Sequence, residues 1–359
     1  MLRKTIVALL TGAAALLAVV PAQAADLTTI RVGYCAKTVT SAGAGPFAVA
    51  ARMGWFEKDG IKVELVPLAG SGDCVKAVAT KDVLFSVPSA EPLAVIRSQG
   101  LKARNFYTAY QGNIYGFAVP TDSPIQNVAD LKGKKIGLIS MASAGLIVTR
   151  ALVSAAGMDP DKDVSIVVAG EGAQTAALLR TKQVDALSQF DTQYALVENA
   201  GIKLRMLDTS EISKFPSNGF VALDETLASR RKDAVAVAKG YAMGTVFAMA
   251  NPEAAVRMFW DAYPQSRSLG KDEAAALKDD MNTLSARLKN LKLEAGGAAK
   301  WGESLEPNYQ AYMDWLLKAG VIKEKAVAKD MITNDLIADI NAFDAAAIQK
   351  LAADWKPKP

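Results

Sequence analysis

The chain carries the same local pattern twice, one hundred residues apart. Residues 69–72 are Ala-Gly-Ser-Gly and residues 169–172 are Ala-Gly-Glu-Gly. Each tetrapeptide follows an apolar run of β type, opens a stretch typical of a helix, and leads into a second apolar run, at 83–87 and 184–188. A repeated strand–glycine turn–helix–strand unit predicts two α/β lobes of similar build, because one unit alone cannot bury its apolar face. Chance recurrence of small-residue turns before helices is the alternative.

The first 24 residues have the composition of a secretory signal peptide. Arg3 and Lys4 precede an apolar run over residues 5–20, and residues 22–24 (Ala-Gln-Ala) form a small-x-small cleavage site. We therefore expect export to the periplasm with cleavage after Ala24. The rest of the sequence shows no further run that is long and apolar enough to cross a bilayer, so we expect the mature protein to be soluble.

Composition removes several classes of function. The 359 residues include no histidine, which excludes His-based catalytic triads, His metal sites and a His general base. The 41 basic and 37 acidic residues are dispersed, so nucleic-acid binding has no electrostatic footprint. Carboxylate, lysine and cysteine chemistry stay open. After the predicted cleavage 335 residues remain, a length that suits two domains better than one.

The two cysteines are predicted to meet. Cys35 ends the first predicted strand, and Cys74 lies in the first turn of the helix after the second strand. These strands are neighbours in a doubly wound sheet, and an exported protein matures in an oxidising compartment. A disulfide closing this loop would stabilise the fold by about 4 kcal/mol in the chain-entropy model. Two small buried thiols are the alternative.

β-type and helical segments alternate from residue 30 to residue 223, and the segments beyond are mostly helical. Proline-containing turns at 120–124 and 216–219 interrupt the alternation and predict two crossings between lobes. The first lobe is therefore expected to comprise residues 25–119 and 219–359, and the second residues 120–218. The predicted fold class is α/β, with two doubly wound parallel sheets covered by helices and a helical C-terminal extension.

Three stretches, at 46–63, 123–137 and 182–186, resemble a known family. Within them, Gly-Trp-Phe-Glu-Lys-Asp-Gly-Ile, Asp-Leu-Lys-Gly-Lys-Lys-Ile-Gly and Lys-Gln-Val-Asp-Ala occur in the order and spacing of substrate-binding proteins of bacterial ABC importers of the nitrate, taurine and alkanesulfonate type. That group also includes thiamine-pyrimidine binders. The resemblance covers about residues 30–225. It implies a type II-like, two-lobed periplasmic binding protein fold whose lobes close over a ligand.

The resemblance implies a receptor that presents a small organic solute to a membrane permease with a cytoplasmic ATPase. The solutes considered are sulfonates, carboxylates, amides and pyrimidines. We expect a monomer without cofactor, metal, nucleic-acid partner or enzymatic activity. Two alternatives stay open: an exported hydrolase or lyase that uses the carboxylates Asp73, Glu91 or Asp191, and a structural or sensor-docking protein with an empty crevice.

Ligand contacts are expected just after strands and at helix starts, where backbone N–H groups face the crevice. In the first lobe, a long loop and two helix starts supply polar candidates, and two aromatic side chains could stack on a planar ligand. The first-lobe candidates are Thr38, Ser41, Phe47, Ser71, Gly72, Asp73, Ser89, Glu91 and Tyr115. Helix capping, a flexible loop and aromatic core packing are the alternatives.

The second lobe offers fewer candidates. Ser143 and Ala144 open a helix, Gln189 and Asp191 follow a strand, and Asn218 lies at the return crossing. Capping and turn formation are the alternatives at these positions.

In the first lobe, the acid at position 91 departs from the small hydroxyl residues that taurine binders tend to carry in this segment. An acid facing the crevice would disfavour a bare anion and favour an amine, amide or hydroxyl group.

Overall fold

The computed structural model describes residues 27–267 and 270–357, so the predicted signal peptide lies outside the described residues. The strands of this part form two five-stranded sheets. In chain order they are β1 (Thr28–Tyr34), β2 (Ile61–Pro67), β3 (Phe85–Ser86), β4 (Ala103–Thr108), β5 (Ala118–Pro120), β6 (Lys135–Leu138), β7 (Ser165–Val168), β8 (Ala186–Leu187), β9 (Leu204–Met206) and β10 (Gly219–Leu223).

Helices separate these strands and make up most of the C-terminal part. They are α1 (Ser41–Arg52), α2 (Trp55–Lys58), α3 (Ser71–Ala79), α4 (Ala90–Ser98), α5 (Ala144–Ala155), α6 (Ala173–Arg180), α7 (Asp191–Asn199), α8 (Asp224–Ser229), α9 (Arg231–Ala250), α10 (Pro252–Ala262), α11 (Glu273–Leu291), α12 (Leu293–Gly296), α13 (Glu306–Lys318), α14 (Ala328–Met331), α15 (Ile337–Ile340) and α16 (Ala345–Asp354). Within residues 27–267 and 270–357, no helix combines the length and apolarity needed to span a bilayer.

The two sheets share one topology. Their strand orders are β2-β1-β3-β10-β4 and β7-β6-β8-β5-β9, so the repeated sequence unit occupies the same place in each. The glycine turn at 69–72 leads from β2 into α3, and the turn at 169–172 leads from β7 into α6. A doubly wound order of this kind leaves a crevice at the carboxyl ends of the parallel strands.

The expectation of parallel sheets is wrong for one strand in each sheet. β10 runs antiparallel to β3 and β4, and β5 runs antiparallel to β8 and β9. The physical reason is that each of these strands enters its sheet after a crossing from the other, and so arrives from the opposite end. Both sheets are therefore mixed, although β1, β2 and β3 and their counterparts β6, β7 and β8 are parallel.

The chain passes between the sheets twice, over residues 109–117 and 207–218. The expected first boundary, at residue 119, falls inside β5, which pairs only with strands of the second sheet. The expected second boundary coincides with the start of β10 at Gly219. The first crossing thus begins about ten residues earlier than the turn chemistry at 120–124 indicated, because that turn follows β5 instead of preceding it.

Side-chain caps explain where several helices begin. The side chains of Thr40, Ser143 and Asp272 accept backbone N–H groups at the starts of α1, α5 and α11. The C-terminal helices then complete the first lobe, because α9 and α10 both pack on α1. Helix α11 lies against α1 and α10 on one side and against α7 of the second lobe on the other. It therefore spans the gap between the sheets.

Candidate functional site

A cavity lies between the two sheets. Its walls combine aromatic rings with a few polar side chains, which is typical of a site for a small organic molecule. The aromatic lining residues are Tyr34, Phe47, Tyr110, Tyr115, Phe190 and Tyr241. The polar lining residues are Thr40, Ser71, Thr192, Asn218 and Arg287. These residues come from both lobes, from the two crossings and from α11, so an occupant of the cavity contacts both lobes.

The aromatic rings form walls against which a planar ligand can stack. The ring of Tyr115 meets the ring of Phe190 edge-on at 5.9 Å, and the ring of Phe47 lies 4.9 Å from that of Tyr241. Burial raises the pKa of Tyr34 to about 12, so its hydroxyl keeps its proton at physiological pH. The buried hydroxyl of Tyr241 has no hydrogen-bond partner among the described residues. It is therefore available to a ligand.

Arg287 is the charged residue of the cavity wall. Its side chain is 4% exposed, and it donates to the carboxylate of Asp191 through Nε at 2.9 and 3.1 Å and through Nη2 at 2.6 Å. The amide of Asn290 donates to the same carboxylate at 2.8 Å, and the guanidinium lies 4.0 Å from the ring centre of Tyr110. Burial acts to lower the pKa of Arg287, but the Asp191 carboxylate, together with Tyr110 and Tyr241, outweighs burial and the pKa is raised. The cation is therefore permanent, and its charge is compensated.

Four of the predicted site residues line the cavity: Phe47, Ser71, Tyr115 and Asn218. The hydroxyl of Ser71 accepts the backbone N–H of Ser89 at 3.2 Å, which fixes its position at the start of α3. The amide of Asn218 donates to a backbone carbonyl at 2.7 Å. Both side chains are thus held in place by the first lobe while they face the space between the lobes.

Two other predicted residues, Thr38 and Gly72, join the lobes to each other. The backbone N–H of Thr38 donates to the carboxylate of Glu171 at 3.0 Å, across to the second glycine turn. The N–H of Gly72 donates to the carbonyl of Ala142 at 3.0 Å. Neither residue lines the cavity, and the Gly72 amide, which we expected to hold a ligand, is used for lobe-to-lobe contact. A Cβ at this position would lie 3.1 Å from the Ala142 oxygen, so glycine allows the close approach of the two backbones.

The structure places Glu91 and Ser89 behind the cavity wall. Glu91 is fully buried, does not line the cavity, and accepts a hydrogen bond from the hydroxyl of Tyr312 through one carboxyl oxygen. Burial raises the pKa of this carboxyl. The hydroxyl groups of Ser89 and Tyr312 lie beside it and act to lower the pKa, but burial outweighs them. The prediction that the acid faces the crevice is therefore wrong for this conformation, and Glu91 no longer supports the ligand preference drawn from it.

Ser41 and Asp73 have structural partners. The hydroxyl of Ser41 donates to the backbone carbonyl of Asp280 at 3.0 Å, which ties α1 to α11. Asp73 lies 3.8 Å from Lys76, one turn further along α3. Neither side chain lines the cavity. Both had been selected for their position after a strand, and the structure shows that helix packing and a surface ion pair account for them.

The remaining second-lobe candidates also lie outside the cavity lining. Ser143 caps α5 by accepting the N–H of Gly145 at 3.1 Å, which is the alternative we had kept open, and Ala144 is fully buried. Gln189 is buried and donates to the carbonyl of Gly170 at 3.1 Å. Asp191 does not line the cavity itself, but it forms an ion pair with Arg287, which does.

The three carboxylates considered for an acid–base mechanism do not form a pair. Asp73 is associated with Lys76, Glu91 with Tyr312 and Asp191 with Arg287. None of the three lines the cavity. The part of the chain that the structure describes also lacks any group of three or more His, Cys, Asp or Glu residues placed to hold a metal ion.

The structure joins Cys35 and Cys74 in a disulfide, with the two Cα atoms 5.8 Å apart. Cys35 lines the cavity, and Cys74 lies in the first turn of α3 beside Ser71. The disulfide therefore ties the loop after β1 to the start of α3, and both segments contribute residues to the cavity wall. Loop closure of this length contributes about 4 kcal/mol in the chain-entropy model.

Sequence reasoning missed Arg287, Tyr241 and Tyr110. A signal for Arg287 was present: it occupies the apolar stripe of α11, in helical register with Leu284 and Leu291, which are buried. An arginine on the buried stripe of an amphipathic helix needs a buried partner. The tyrosines carried no comparable signal, because an isolated aromatic residue in a helix or loop is most often part of a core.

The fold and the sequence identify the family. The NMT1/THI5-like family model matches residues 42–255, which is more than half of the chain, and the protein therefore belongs to this family. Among solved structures, one from Bordetella bronchiseptica RB50 superposes with a TM-score of 0.67 at 19% identity, over 88% of this chain and 98% of that one.

Two further comparisons name binding proteins. The alkanesulfonate-binding protein SsuA from Xanthomonas axonopodis pv. citri, solved with MOPS, has a TM-score of 0.63 at 15% identity over 86% of this chain and 99% of its own. The riboflavin-binding protein RibY of Chloroflexus aurantiacus is 24% identical over 251 residues, which cover 69% of this chain and 70% of RibY. At these identities the solved structures establish the shared fold, which is the two-lobed fold of periplasmic binding proteins.

Proposed function

We propose that the protein is a periplasmic solute-binding receptor that delivers a small organic solute to an ABC importer by hinge closure. The observation that carries this proposal is the cavity between the sheets, whose wall combines residues of both lobes. A ligand favours closure only if it interacts better with the closed form than with the open form, and a site shared by both lobes meets that condition. The permease with its cytoplasmic ATPase is the partner to which the closed form is presented.

The cavity favours a solute with a planar ring. Six aromatic side chains line it, and the single charged lining group, Arg287, is already neutralised by Asp191. A bare sulfonate gains little from a compensated cation, whereas a ring gains stacking and edge contacts on several sides. Of the solutes considered from the sequence, a pyrimidine-like ring or an aromatic amide fits this wall best. The name of RibY, a riboflavin-binding protein, supports the same class.

Binding without chemistry is the second part of the proposal. A hydrolase or lyase would need an acid–base pair at the ligand, and the three candidate carboxylates have separate partners away from the cavity lining. We propose that the mature protein acts as a monomer in the periplasm after removal of residues 1–24. A structural or sensor-docking protein would bind no solute in the crevice, so a binding measurement distinguishes this alternative from the proposed receptor.

Native mass spectrometry of the freshly purified protein, followed by a thermal-shift screen of metabolites, tests the proposal. A solute at one hundred times its dissociation constant should add about 2.7 kcal/mol to the free energy of unfolding. We expect ring-bearing solutes to raise the Tm and to be recovered with unaltered mass. Failure of every solute to raise the Tm would support the docking alternative, and a solute recovered with an altered mass would support the enzyme.

A further inference from the structure

The ion pair between Arg287 and Asp191 connects parts of the molecule that are distant in the chain. Arg287 lies near the end of α11, and Asp191 is the first residue of α7 in the second lobe. Both side chains are almost completely buried, at 4% and 6% exposure. Asn290 supports the carboxylate from one helical turn beyond Arg287. The pair therefore joins α11 to the second lobe at the cavity wall.

The guanidinium of Arg287 is only partly used by this pair. Nε and Nη2 donate to Asp191, whereas Nη1 donates no hydrogen bond to any residue within the described ranges. Because Arg287 lines the cavity and Asp191 does not, the unused part of the guanidinium is the part available to a ligand. The nearby hydroxyl of Tyr241, which is buried and has no hydrogen-bond partner within the described part of the chain, is a second such group.

Resting on the proposed function, we propose that Asp191 determines the charge class of the solute by neutralising Arg287. The neutralised guanidinium offers Nη1 as a hydrogen-bond donor to a neutral carbonyl or ring acceptor. If the compensating carboxylate were absent, the same guanidinium would be an uncompensated buried cation, and a carboxylate or sulfonate on the ligand would become its counterion. Asp191 is thus a positioning and specificity residue that acts through Arg287 and does not touch the ligand.

Two variants with opposite effects test this inference. Benzamide and benzoate serve as probes, because they share ring and size and differ in charge. Asp191→Asn leaves the cation uncompensated, so the ratio of the benzamide Kd to the benzoate Kd should rise by at least about tenfold over wild type. Arg287→Gln leaves the carboxylate uncompensated, so the same ratio should fall by at least about tenfold. Titration calorimetry measures both constants for each protein.

Controls separate specificity from damage to the fold. Asp280→Asn removes another largely buried acid of α11, one that bonds Ser41 and Trp260 and does not line the cavity, so the ratio should stay at the wild-type value. The double variant Asp191→Asn/Arg287→Gln has no net charge at the pair and should return the ratio to within about threefold of wild type.

Some results would overturn the inference. A ratio unchanged in both variants would do so, as would shifts in the same direction or a complete loss of both probes from both variants. A different result would contradict the proposed function: no solute of any class raises the Tm of the wild-type protein. A variant that gains benzoate binding while wild type binds nothing would still support the role of Asp191.

Discussion

Two buried tyrosines, Tyr241 and Tyr309, differ in whether their hydroxyl groups have hydrogen-bond partners. Tyr241 lines the cavity, and its buried hydroxyl has no hydrogen-bond partner among the residues that the structure describes. The hydroxyl of Tyr309, in contrast, lies 3.0 Å or less from Asn105 and Thr108 in a polar network. Leaving a buried polar group unsatisfied costs about 1–3 kcal/mol, and removing a hydroxyl that had no partner costs little. The two residues therefore respond differently to the same substitution.

Tyr241→Phe should weaken solute binding by about fivefold, the loss of one hydrogen bond, and leave the free energy of unfolding within about 0.5 kcal/mol of wild type. Tyr309→Phe is its matched control and should lower the free energy of unfolding by about 1–3 kcal/mol while the affinity stays the same. Urea denaturation and calorimetry measure the two quantities. If Tyr241→Phe destabilised the protein and left affinity intact, its hydroxyl would have no role toward the ligand.

Glu91 predicts a pH dependence of stability. Burial raises the pKa of its carboxyl above 4.5 in the folded state, so the folded protein holds a proton that the unfolded chain releases first. Its contribution is therefore fully present below pH 4.5 and is lost as the pH rises through the folded-state value. In Glu91→Gln this loss cannot occur. The stability of wild type minus that of Glu91→Gln should decrease from pH 4.5 to pH 8 in urea titrations; a difference that is constant or increases would contradict the assignment.

Single residues also show where sequence reasoning reached its limit. Ser71 and Asn218 were predicted because they lie after a strand and in a crossing, where the topology places a crevice, and Phe47 and Tyr115 because their rings could stack on a planar ligand. Gly72 satisfied the same rule, but its amide bonds Ala142, a contact 70 residues away in the chain that no local pattern reports. Arg287 was not predicted because it lies on the buried stripe of a C-terminal helix, away from the strand ends where a crevice is expected.

Among the elements, the start of α3 decides how closely the lobes approach. The N–H of Gly72 reaches the carbonyl of Ala142, and the Ser140 hydroxyl donates to the carbonyl of Ala69 at 2.5 Å. A side chain at position 72 would meet the backbone of the second lobe, because even a Cβ would lie 3.1 Å from the Ala142 oxygen. Closure thus depends on a backbone-to-backbone contact between the two lobes.

Gly72→Val should hold the lobes apart and lower the affinity for solute by at least about tenfold, while the stability of the unliganded protein changes by less than about 1 kcal/mol. Lys76→Val is the matched control, since it places the same side chain on the exposed face of the same helix. Calorimetry and thermal denaturation measure the effects. Wild-type affinity in Gly72→Val would show that this contact is not part of the binding-competent state.

At the level of elements, the repeated glycine turns correctly predicted the α/β class and the equivalent placement of β2, α3 and β3 with β7, α6 and β8. The antiparallel direction of β5 and β10 was not predictable in the same way. Each follows a crossing, and its pairing partners are fixed by long-range hydrogen bonds, such as Val221 opposite Ser86, that leave no periodic trace in the sequence.

At the scale of the whole molecule, Glu171 of the second lobe bonds the backbone of Lys37 and Thr38 in the first lobe, a contact here called the latch. Its carboxylate accepts the backbone N–H groups of Lys37 and Thr38 at 3.3 and 3.0 Å. These bonds exist only when the lobes are together, so they bias the equilibrium between open and closed forms independently of the solute. Because they are exposed, their effect is moderate.

Glu171→Ala should therefore shift the solute-free protein toward the open form and raise the Kd by about two- to tenfold. Small-angle X-ray scattering should show a larger radius of gyration without solute and the wild-type value at saturation. Lys37→Ala is the control, because the latch uses the backbone of Lys37 and not its side chain. An identical radius of gyration for wild type and Glu171→Ala without solute would show that the latch does not control closure.

The central claim is that a solute binds in the cavity between the lobes and leaves it unchanged. Ala36 lines this cavity from the loop after β1, and a tryptophan at this position would occupy space that a solute needs. The most direct test is calorimetric titration of the solute recovered from the purified protein into wild type and Ala36→Trp. We predict one solute bound per wild-type chain, none bound to Ala36→Trp, and an unaltered mass afterwards. Equal binding to both proteins would contradict the account, because the solute would then occupy another part of the molecule.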